Sequence, residues 1–277
     1  MSFIAPFSIP GDSSFESKEL TWNSSANILC KYMSRATYLQ EIIKHMAIIP
    51  RYVEEIVDYL GVDNFYSYAI PMICFCDIPL SKVQKHSDAY GKYGIALNKQ
   101  SILKKVDIQP IMYVNSESAY HSDLSEAFQQ LIPHRGHIPE DWAYLADFLV
   151  MQLTYVKPIR GKMPTRSGMK ERLFQDECEW RYVPVLPDDM DSFILNPPHD
   201  EEKLKYYNKA LRLTENRYTW LHFSIDDICY LIVPNEKAAN NLTDFISVDM
   251  KGTLRDDEIF KLVRKIEISD YFGKNYV

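Results

Sequence analysis

The sequence predicts an α+β fold in a single domain, and three observations lead to this prediction. The chain has 277 residues, of which 46% are apolar, and this suits one large hydrophobic core. Segments with helical spacing of apolar residues and short apolar runs typical of strands both occur along the chain. Strands and helices do not alternate strictly, so a parallel βαβ sheet is not expected. We therefore predict an α+β core in which helices flank a β-sheet.

The predicted domain spans residues 27–277 and follows an irregular N-terminal arm at 1–26, which contains several Ser and Pro residues. Short apolar runs predict strands at 27–34, 70–80, 93–99, 108–114, 178–185, 227–234 and 266–269. Helical spacing of apolar residues predicts helices at 36–49, 51–60, 81–90, 139–156, 200–213, 235–246 and 256–265.

The clearest predicted helix is 139–156, because Pro139 and the two acids after it suit a first helical turn. Its apolar residues at helical spacing are Trp142, Leu145, Ala146, Leu149 and Leu153. Residues 157–177 are predicted to form a long loop.

Charge and hydropathy exclude some classes of function. The net charge of −7 argues against a broad nucleic-acid surface, although it permits a local basic patch. No apolar run approaches the roughly 18 residues that span a bilayer, and the N-terminus has no secretory signal pattern. We therefore expect a cytoplasmic protein without a membrane partner. The five cysteines are an odd number, and we expect reduced, buried thiols.

Two acids stand out in the stretch LFQDECEWRYVPV at 173–185. Glu177 and Glu179 are two positions apart, so on a strand their side chains would share a face with Arg181. A solvated ion pair at a strand edge explains this pattern. A catalytic carboxylate with a helper explains it equally well, since no Walker loop, GxGxxG, GxSxG or HExxH motif offers another site.

Two further features stand out besides these acids. The run before them is basic, and it contains Lys157, Arg160, Lys162, Arg166, Lys170 and Arg172. Such a run is usually a solvated loop, but here it is also the place where a phosphate could bind. Earlier in the chain, CFCDIPL and YGKYG place Tyr90 and Tyr93 beside Gly91 and Gly94, which permit a close backbone approach to a ligand. Ordinary turns explain these glycines about as well.

Four blocks carry a resemblance to a known family: IPMICFCDIPLSKVQKHSDAYGKYGIALNK, YVKPIRGK, DECEWRYVP and DDICYLIVPNE. Their order and spacing resemble the AbiGi family of bacterial abortive-infection proteins over about residues 27–250. Members of that family are labelled as antitoxin components of phage-resistance systems. The resemblance therefore implies a partner protein, either a cognate toxin or a cognate antitoxin.

The arrangement also resembles, more distantly, ADP-ribosyltransferase toxins such as DarT. That resemblance implies a split, mixed β-sheet core flanked by helices, as in an ADP-ribosyltransferase. It also implies NAD as the substrate and nucleic acid, DNA or RNA, as the target. It assigns the catalytic carboxylates to Glu179 and Glu177. It assigns NAD binding to Lys31, Tyr32, Phe75, Asp77, Tyr90, Tyr93 and Arg181. It assigns target binding to Arg160, Lys162, Arg166 and Lys170.

The sequence thus favours an NAD-dependent ADP-ribosyltransferase toxin or effector of a phage-defence system, with no metal in its site. One alternative is a non-enzymatic antitoxin or regulatory partner, which would present a surface such as the charged helix at 200–213. Another is a nuclease or hydrolase that holds Mg²⁺ with Asp77, Glu177 and Glu179.

Overall fold

The computed structural model describes residues 27–82, 84–134, 138–165, 168–187, 189–197 and 201–272. Their strands are β1 (Ile28–Met33), β2 (Ala47–Ile48), β3 (Arg51–Ile56), β4 (Ser67–Cys76), β5 (Tyr93–Asn98), β6 (Ile108–Pro110), β7 (Met112–Val114), β8 (Val156–Pro158), β9 (Arg160–Thr165), β10 (Gly168–Leu173), β11 (Glu179–Tyr182), β12 (Ile194–Leu195), β13 (Leu221–His222), β14 (Ile228–Val233) and β15 (Ile266–Ile268). Their helices are α1 (Ala36–His45), α2 (Gln84–Tyr90), α3 (Lys99–Leu103), α4 (Ala119–Leu131), α5 (Ala143–Thr154), α6 (Glu201–Leu211), α7 (Glu236–Asp244) and α8 (Asp256–Val263). The predicted arm at 1–26 lies outside the described residues. Among the described helices, none has the length and apolar character needed to cross a bilayer.

A mixed β-sheet forms the centre of the molecule. Its strand order is β15-β14-β5-β1-β4-β11-β6, and β3 and β12 also pair with β4. The pair β14–β15 is parallel, whereas β1 pairs antiparallel with both of its neighbours, β5 and β4. The predicted α+β class with a mixed sheet and flanking helices is confirmed. The predicted strands around Lys31, Phe75 and Glu179 are adjacent, because β1, β4 and β11 are consecutive in the sheet.

Strand β4 determines where the site forms, because its two halves have different partners. Its first residues pair with β3, in the register Glu55 with Tyr68. Its last residues pair with β11, in the register Glu179 with Cys76. At ten residues, β4 is long enough to hold both partners in turn. The acids of β3 and β11 are thereby attached to the same strand.

Two large hydrophobic clusters stabilise this arrangement. One contains Leu29, Ile95 and Leu231 from the sheet together with Ile43 of α1. The other contains Tyr68 of β4, Phe128 of α4 and Leu153 of α5. The helices therefore cover the sheet with their apolar faces.

Three predicted elements are wrong. Residues 51–60 form strand β3 and a short 3₁₀ turn instead of a helix, because β3 pairs with β4 over its whole length. The predicted loop at 157–177 contains the antiparallel hairpin β9–β10, with Lys162 opposite Glu171. The predicted strand at 108–114 is interrupted, so β6 pairs with β11 and β7 pairs with β8.

The helix predicted at 139–156 is present in part, as α5. Residues Glu140–Trp142 form a 3₁₀ turn before it. Ala146 and Leu153 are buried as predicted, but Trp142 and Leu145 are 41% and 53% exposed. The apolar residues of this segment therefore occupy two faces of the helix, and only one of them packs on the core.

The thiols differ in part from the prediction. All five cysteines are reduced, as expected. Cys30 and Cys76 are buried, whereas Cys178 is exposed. Cys178 adopts a left-handed backbone conformation with φ of 43° between a 3₁₀ turn and β11, so it lies at a bend and not within a strand.

Candidate functional site

A cavity of about 280 Å³ lies between β1, β3, the end of β4 and the segment that leads through β8 and β9 to β11. Most of the surface that lines it is apolar. Its ionisable lining residues are Lys31, Tyr32, Glu54, Glu55, Asp58, Tyr59, Tyr90, Lys157, Lys162, Glu177 and Glu179, with the thiols of Cys30, Cys74 and Cys76. A cavity with an apolar wall and a few convergent polar groups is the usual form of a small-molecule site.

Glu179 is the first residue of β11 and is only 6% exposed. Its Oε1 accepts a hydrogen bond of 2.8 Å from Nε of Arg181, and its Oε2 accepts one of 2.7 Å from Nζ of Lys157. Its backbone N–H donates to the hydroxyl of Tyr113 at 2.9 Å. These contacts fix the carboxylate in one orientation at the cavity wall.

Glu55 of β3 completes a ring of alternating charges. Its Oε1 lies 3.0 Å from a terminal guanidinium nitrogen of Arg181, and its Oε2 lies 3.7 Å from Nζ of Lys157. Arg181 and Lys157 thus each bind both Glu55 and Glu179. Arg181 is fully buried and also donates to the backbone oxygen of Thr154 at 2.7 Å. Buried charges in proteins require such pairing.

Glu177 reaches the same cavity from the 3₁₀ turn before β11. Its Oε1 accepts a hydrogen bond of 2.6 Å from the hydroxyl of Tyr90 and lies 2.7 Å from Nε of Arg172. Its Oε2 lies 3.6 Å from Nζ of Lys157. The expected strand geometry for Glu177 and Glu179 is wrong, because the left-handed Cys178 separates them. The bend nevertheless directs both side chains to one cavity.

The alternative of a solvated ion pair at a strand edge is also wrong. Glu177 is 4% exposed, Glu179 is 6% exposed and Arg181 is 0% exposed. The predicted pairing of Arg181 with the acids is present, but it lies in the interior. Removing one member of a buried ion pair lowers the free energy of unfolding far more than removing one member of an exposed pair does.

The network shifts the proton affinities of its members in opposite directions. Burial by itself would raise the pKa of Glu179, but Arg181 and Lys157 outweigh it and hold that pKa well below its usual range. Burial would lower the pKa of Lys157, but the carboxylates of Glu55 and Glu179 outweigh it and raise that pKa. Both groups therefore remain charged at neutral pH.

Lys31 is a cation of the cavity that lies outside this ring. Its Nζ donates to the backbone oxygen of Cys74 at a long 3.5 Å. Burial lowers the pKa of Lys31, with smaller opposing effects from Cys74 and Glu179. On the opposite wall, the buried hydroxyl of Tyr59 has no hydrogen-bond partner within the described ranges. These are the groups that a ligand would satisfy.

The structure brings together most, but not all, of the residues predicted from the sequence. The predicted residues that line the cavity are Lys31, Tyr32, Phe75, Tyr90, Lys162, Glu177 and Glu179. Arg181 lies directly behind them, bonded to Glu179.

Other predicted residues lie elsewhere. Tyr93 packs against the hydrophobic cluster of α1, and Asp77 forms an ion pair of 2.6 Å with Lys99. Arg160 and Lys170 are exposed on the hairpin and do not line the cavity. Arg166 lies outside the described residues.

Two cations of the basic run that was predicted to bind phosphate are instead paired with acids of the chain. Lys157 and Arg172 are bound to the cavity acids and are therefore part of the network. Gly91 also differs from expectation. A Cβ at Gly91 would lie 2.2 Å from the backbone oxygen of Met33, so this glycine permits a close approach to β1 and not to a ligand.

Sequence reasoning missed Glu55, because the segment around it was predicted to be a helix. Had the segment been recognised as a strand, the pair Glu54-Glu55 between Tyr52 and Ile56 would have indicated acids on a half-buried strand. The roles of Lys157 and Tyr113 carried no such signal, since both depend on contacts distant in sequence.

The metal-dependent alternative lacks a ligand cluster. Within the ranges that the structure describes, no three His, Cys, Asp or Glu side chains are placed to hold one ion. Asp77 is paired with Lys99 and does not line the cavity.

Comparisons with known proteins agree on one family. A family model described as "abortive phage resistance protein AbiGi, antitoxin" matches residues 46–234. The abortive phage resistance protein AbiGi of Lactococcus lactis subsp. cremoris is 34% identical over 227 residues, which is 75% of this chain and 90% of the relative. No solved structure matches significantly. The family description names an antitoxin, so it agrees better with the partner-protein alternative than with the toxin that the sequence favoured.

Proposed function

The chain belongs to the AbiGi family of abortive phage resistance proteins, and from that membership we propose that it acts as the antitoxin of a phage-resistance system. In this role it binds a toxin and restrains it. The observation that carries the proposal is the match of residues 46–234 to a family whose description names an antitoxin. The matched range contains β3, β4, α4, α5 and β11, which is most of the described fold.

The state of the cavity supports a binding role. The carboxylates of Glu55, Glu177 and Glu179 are each paired with cations of the chain itself. This closed network stabilises the junction of β3, β4 and β11 without any ligand. A protein that acts by presenting a surface needs such a rigid framework and no chemistry.

Growth assays would test the proposal. Each gene next to the one encoding this chain would be expressed in the host with and without the chain. We expect one neighbour to arrest growth and the chain to relieve the arrest. Glu179→Gln should relieve it equally well, provided that circular dichroism shows a folded protein. Arrest by the chain alone, or no relief of any toxic neighbour, would contradict the antitoxin proposal.

A second candidate is NAD-dependent ADP-ribosyl transfer, and one observation favours it. Glu179 stands at the start of β11 and lines a cavity with Lys31, Tyr90 and Phe75. The volume of about 280 Å³ lies just below the range of small-molecule sites, which is about 300–1,000 Å³. It would take part of an NAD molecule, such as the nicotinamide riboside end.

The transfer would break the bond between the nicotinamide nitrogen and ribose C1′, and the bonding electron pair would leave with nicotinamide. The ribose would then develop oxocarbenium character, as in glycoside hydrolysis. Glu179, held ionised by Arg181 and Lys157, would stabilise that positive charge. An acceptor atom would bond to C1′, and Glu177 would take its proton.

Labelled NAD⁺ would test this candidate. The purified chain would be incubated with NAD⁺ and separate pools of DNA, RNA and protein, beside Glu179→Gln and the exposed control Glu215→Gln. Transfer that is lost in Glu179→Gln and kept in Glu215→Gln would support the enzyme and identify the target class. A folded chain that neither transfers label nor releases nicotinamide would overturn it.

A further inference from the structure

Helix α5 carries a second apolar face that is largely exposed and belongs to none of the hydrophobic clusters of the described residues. Its members Tyr144, Leu145, Phe148 and Met151 are 84%, 53%, 45% and 58% exposed. Residues three and four apart are neighbours on a helix surface, so these four form one continuous stripe. The opposite face of the same helix packs against the core through Ala146 and Leu153.

An apolar stripe of this kind is unusual on a protein surface that faces solvent. Isolated exposed apolar residues are common, whereas contiguous patches mark protein or membrane contacts. The stripe is not required for folding, because the buried face already anchors α5. Water contact with four large apolar side chains on one helix is unfavourable unless another surface covers them.

Acidic residues border this stripe. Asp147 lies on α5, three residues from Tyr144 and four from Met151. Asp141 lies in the 3₁₀ turn just before α5, three residues from Tyr144 and four from Leu145 in sequence. Both acids are exposed. The wider segment 106–156 contains seven Asp or Glu residues and one Arg. A partner that fits both features would have an apolar strip flanked by Lys or Arg.

The same charge argues against the other candidate occupants. A second copy of α5 would bring acid against acid, which disfavours a symmetric dimer. The segment 1–26 has three acids and one lysine and is therefore also acidic. An anionic bilayer surface attracts Lys and Arg and repels a face of this composition.

We infer that the exposed face of α5, formed by Tyr144, Leu145, Phe148 and Met151 with Asp141 and Asp147 at its edges, is the surface that docks the toxin. The docking segment of the toxin is a basic amphipathic one, which places its apolar residues on the stripe and its cations against the two acids. This inference rests on the proposed antitoxin function and specifies how the toxin is recognised.

Binding to the toxin identified in the growth assay would be measured by titration calorimetry. Tyr144→Ser/Phe148→Ser should raise the dissociation constant at least about tenfold, because loss of buried aromatic anchors weakens binding. The matched control Tyr218→Ser/Phe260→Ser removes aromatic residues that are 59% and 62% exposed elsewhere and should leave binding unchanged. Circular dichroism would verify that all variants are folded.

Charge reversal tests the recognised chemistry separately. Asp141→Lys/Asp147→Lys should slow association and weaken binding, whereas the control Asp244→Lys/Asp249→Lys, with the same change in net charge, should not. Raised salt should slow association of the wild-type chain and of the control.

Retained affinity in both stripe variants, with wild-type neutralisation intact, would overturn the docking surface and leave the antitoxin function standing. A wild-type chain that neutralises no toxin would remove both. Binding of the wild-type chain, but not of Tyr144→Ser/Phe148→Ser, to phosphatidylglycerol vesicles would instead assign the stripe to a membrane.

Discussion

The guanidinium of Arg181 lies 2.8 Å from the carboxylate of Glu179, two residues before it on β11, and both side chains are buried. Arg181 also binds Glu55 of β3 and the backbone of Thr154 at the end of α5. One buried cation thus joins two strands and a helix beside the cavity.

Removing the central cation should be strongly destabilising. Arg181→Met leaves the buried Glu179 and the half-buried Glu55 with Lys157 as their remaining cation, and breaking a buried pair typically costs about 3–5 kcal/mol. Urea unfolding would measure the loss. The control Arg212→Met breaks the half-exposed pair with Glu41 and should cost at most about 1 kcal/mol. Equal losses in the two variants would show that the Arg181 network is not a main source of stability.

Two adjacent acids on β3 should differ in their effect. Glu55→Gln removes the carboxylate that forms an ion pair with Arg181, and leaving a buried polar group without its partner costs about 1–3 kcal/mol. Glu54→Gln changes a neighbouring acid of the cavity wall for which no ion pair with Arg181 or Lys157 is seen, and should change stability by less than about 0.5 kcal/mol. Thermal unfolding of the pair would test whether β3 contributes to the network. A larger loss in Glu54→Gln would contradict the observed register of β3.

Acid should weaken the fold through Glu179. Its folded-state pKa lies below its ordinary value of 4.5, so the unfolded chain takes up this proton first as pH falls. The stabilisation is complete above pH 4.5 and is lost as pH falls from there through the folded-state pKa. Melting temperatures between pH 7 and pH 2 should fall less steeply for Glu179→Gln than for the wild type. Identical slopes would contradict the depressed pKa.

Replacing Lys31 should have the opposite sign. Burial lowers its folded-state pKa from 10.5, so the unfolded chain holds this proton more tightly, and the buried amine opposes folding at neutral pH. Lys31→Met should therefore raise the melting temperature at pH 7, and its advantage should shrink as pH approaches 10.5. The exposed control Lys104→Met should show neither effect. A lower melting temperature for Lys31→Met would mean that its hydrogen bond to Cys74 outweighs burial.

Gly91 should tolerate no side chain. It has φ of 125°, and a Cβ there would lie 2.2 Å from the backbone oxygen of Met33 on β1. Gly91→Ala must displace β1 or α2 and should cost more than about 3 kcal/mol. The control Gly61→Ala has φ of 63° with open space around it and should cost about 1–2 kcal/mol. Chemical denaturation of both variants would compare them, and similar losses would contradict the close contact with β1.

The sequence by itself determined the α+β class and many of the elements. β1, β4, β5, β14, α7 and α8 were predictable because their apolar residues follow the period of a strand or helix along continuous stretches. Glu177, Glu179 and Arg181 were identifiable because their spacing is local. The four quoted blocks likewise sufficed for the family, since motif order is a property of sequence alone.

Tertiary structure alone decided how these parts meet. Residues 51–60 have an apolar spacing that a helix also satisfies, and only pairing with β4 made β3 a strand and brought Glu55 to Arg181. The two faces of α5 are both apolar in sequence, and only packing showed that the face of Tyr144 and Phe148 stays exposed. The physical reason is the same in each case: periodicity is encoded between near neighbours, whereas burial and charge pairing depend on residues that the chain brings together only after folding.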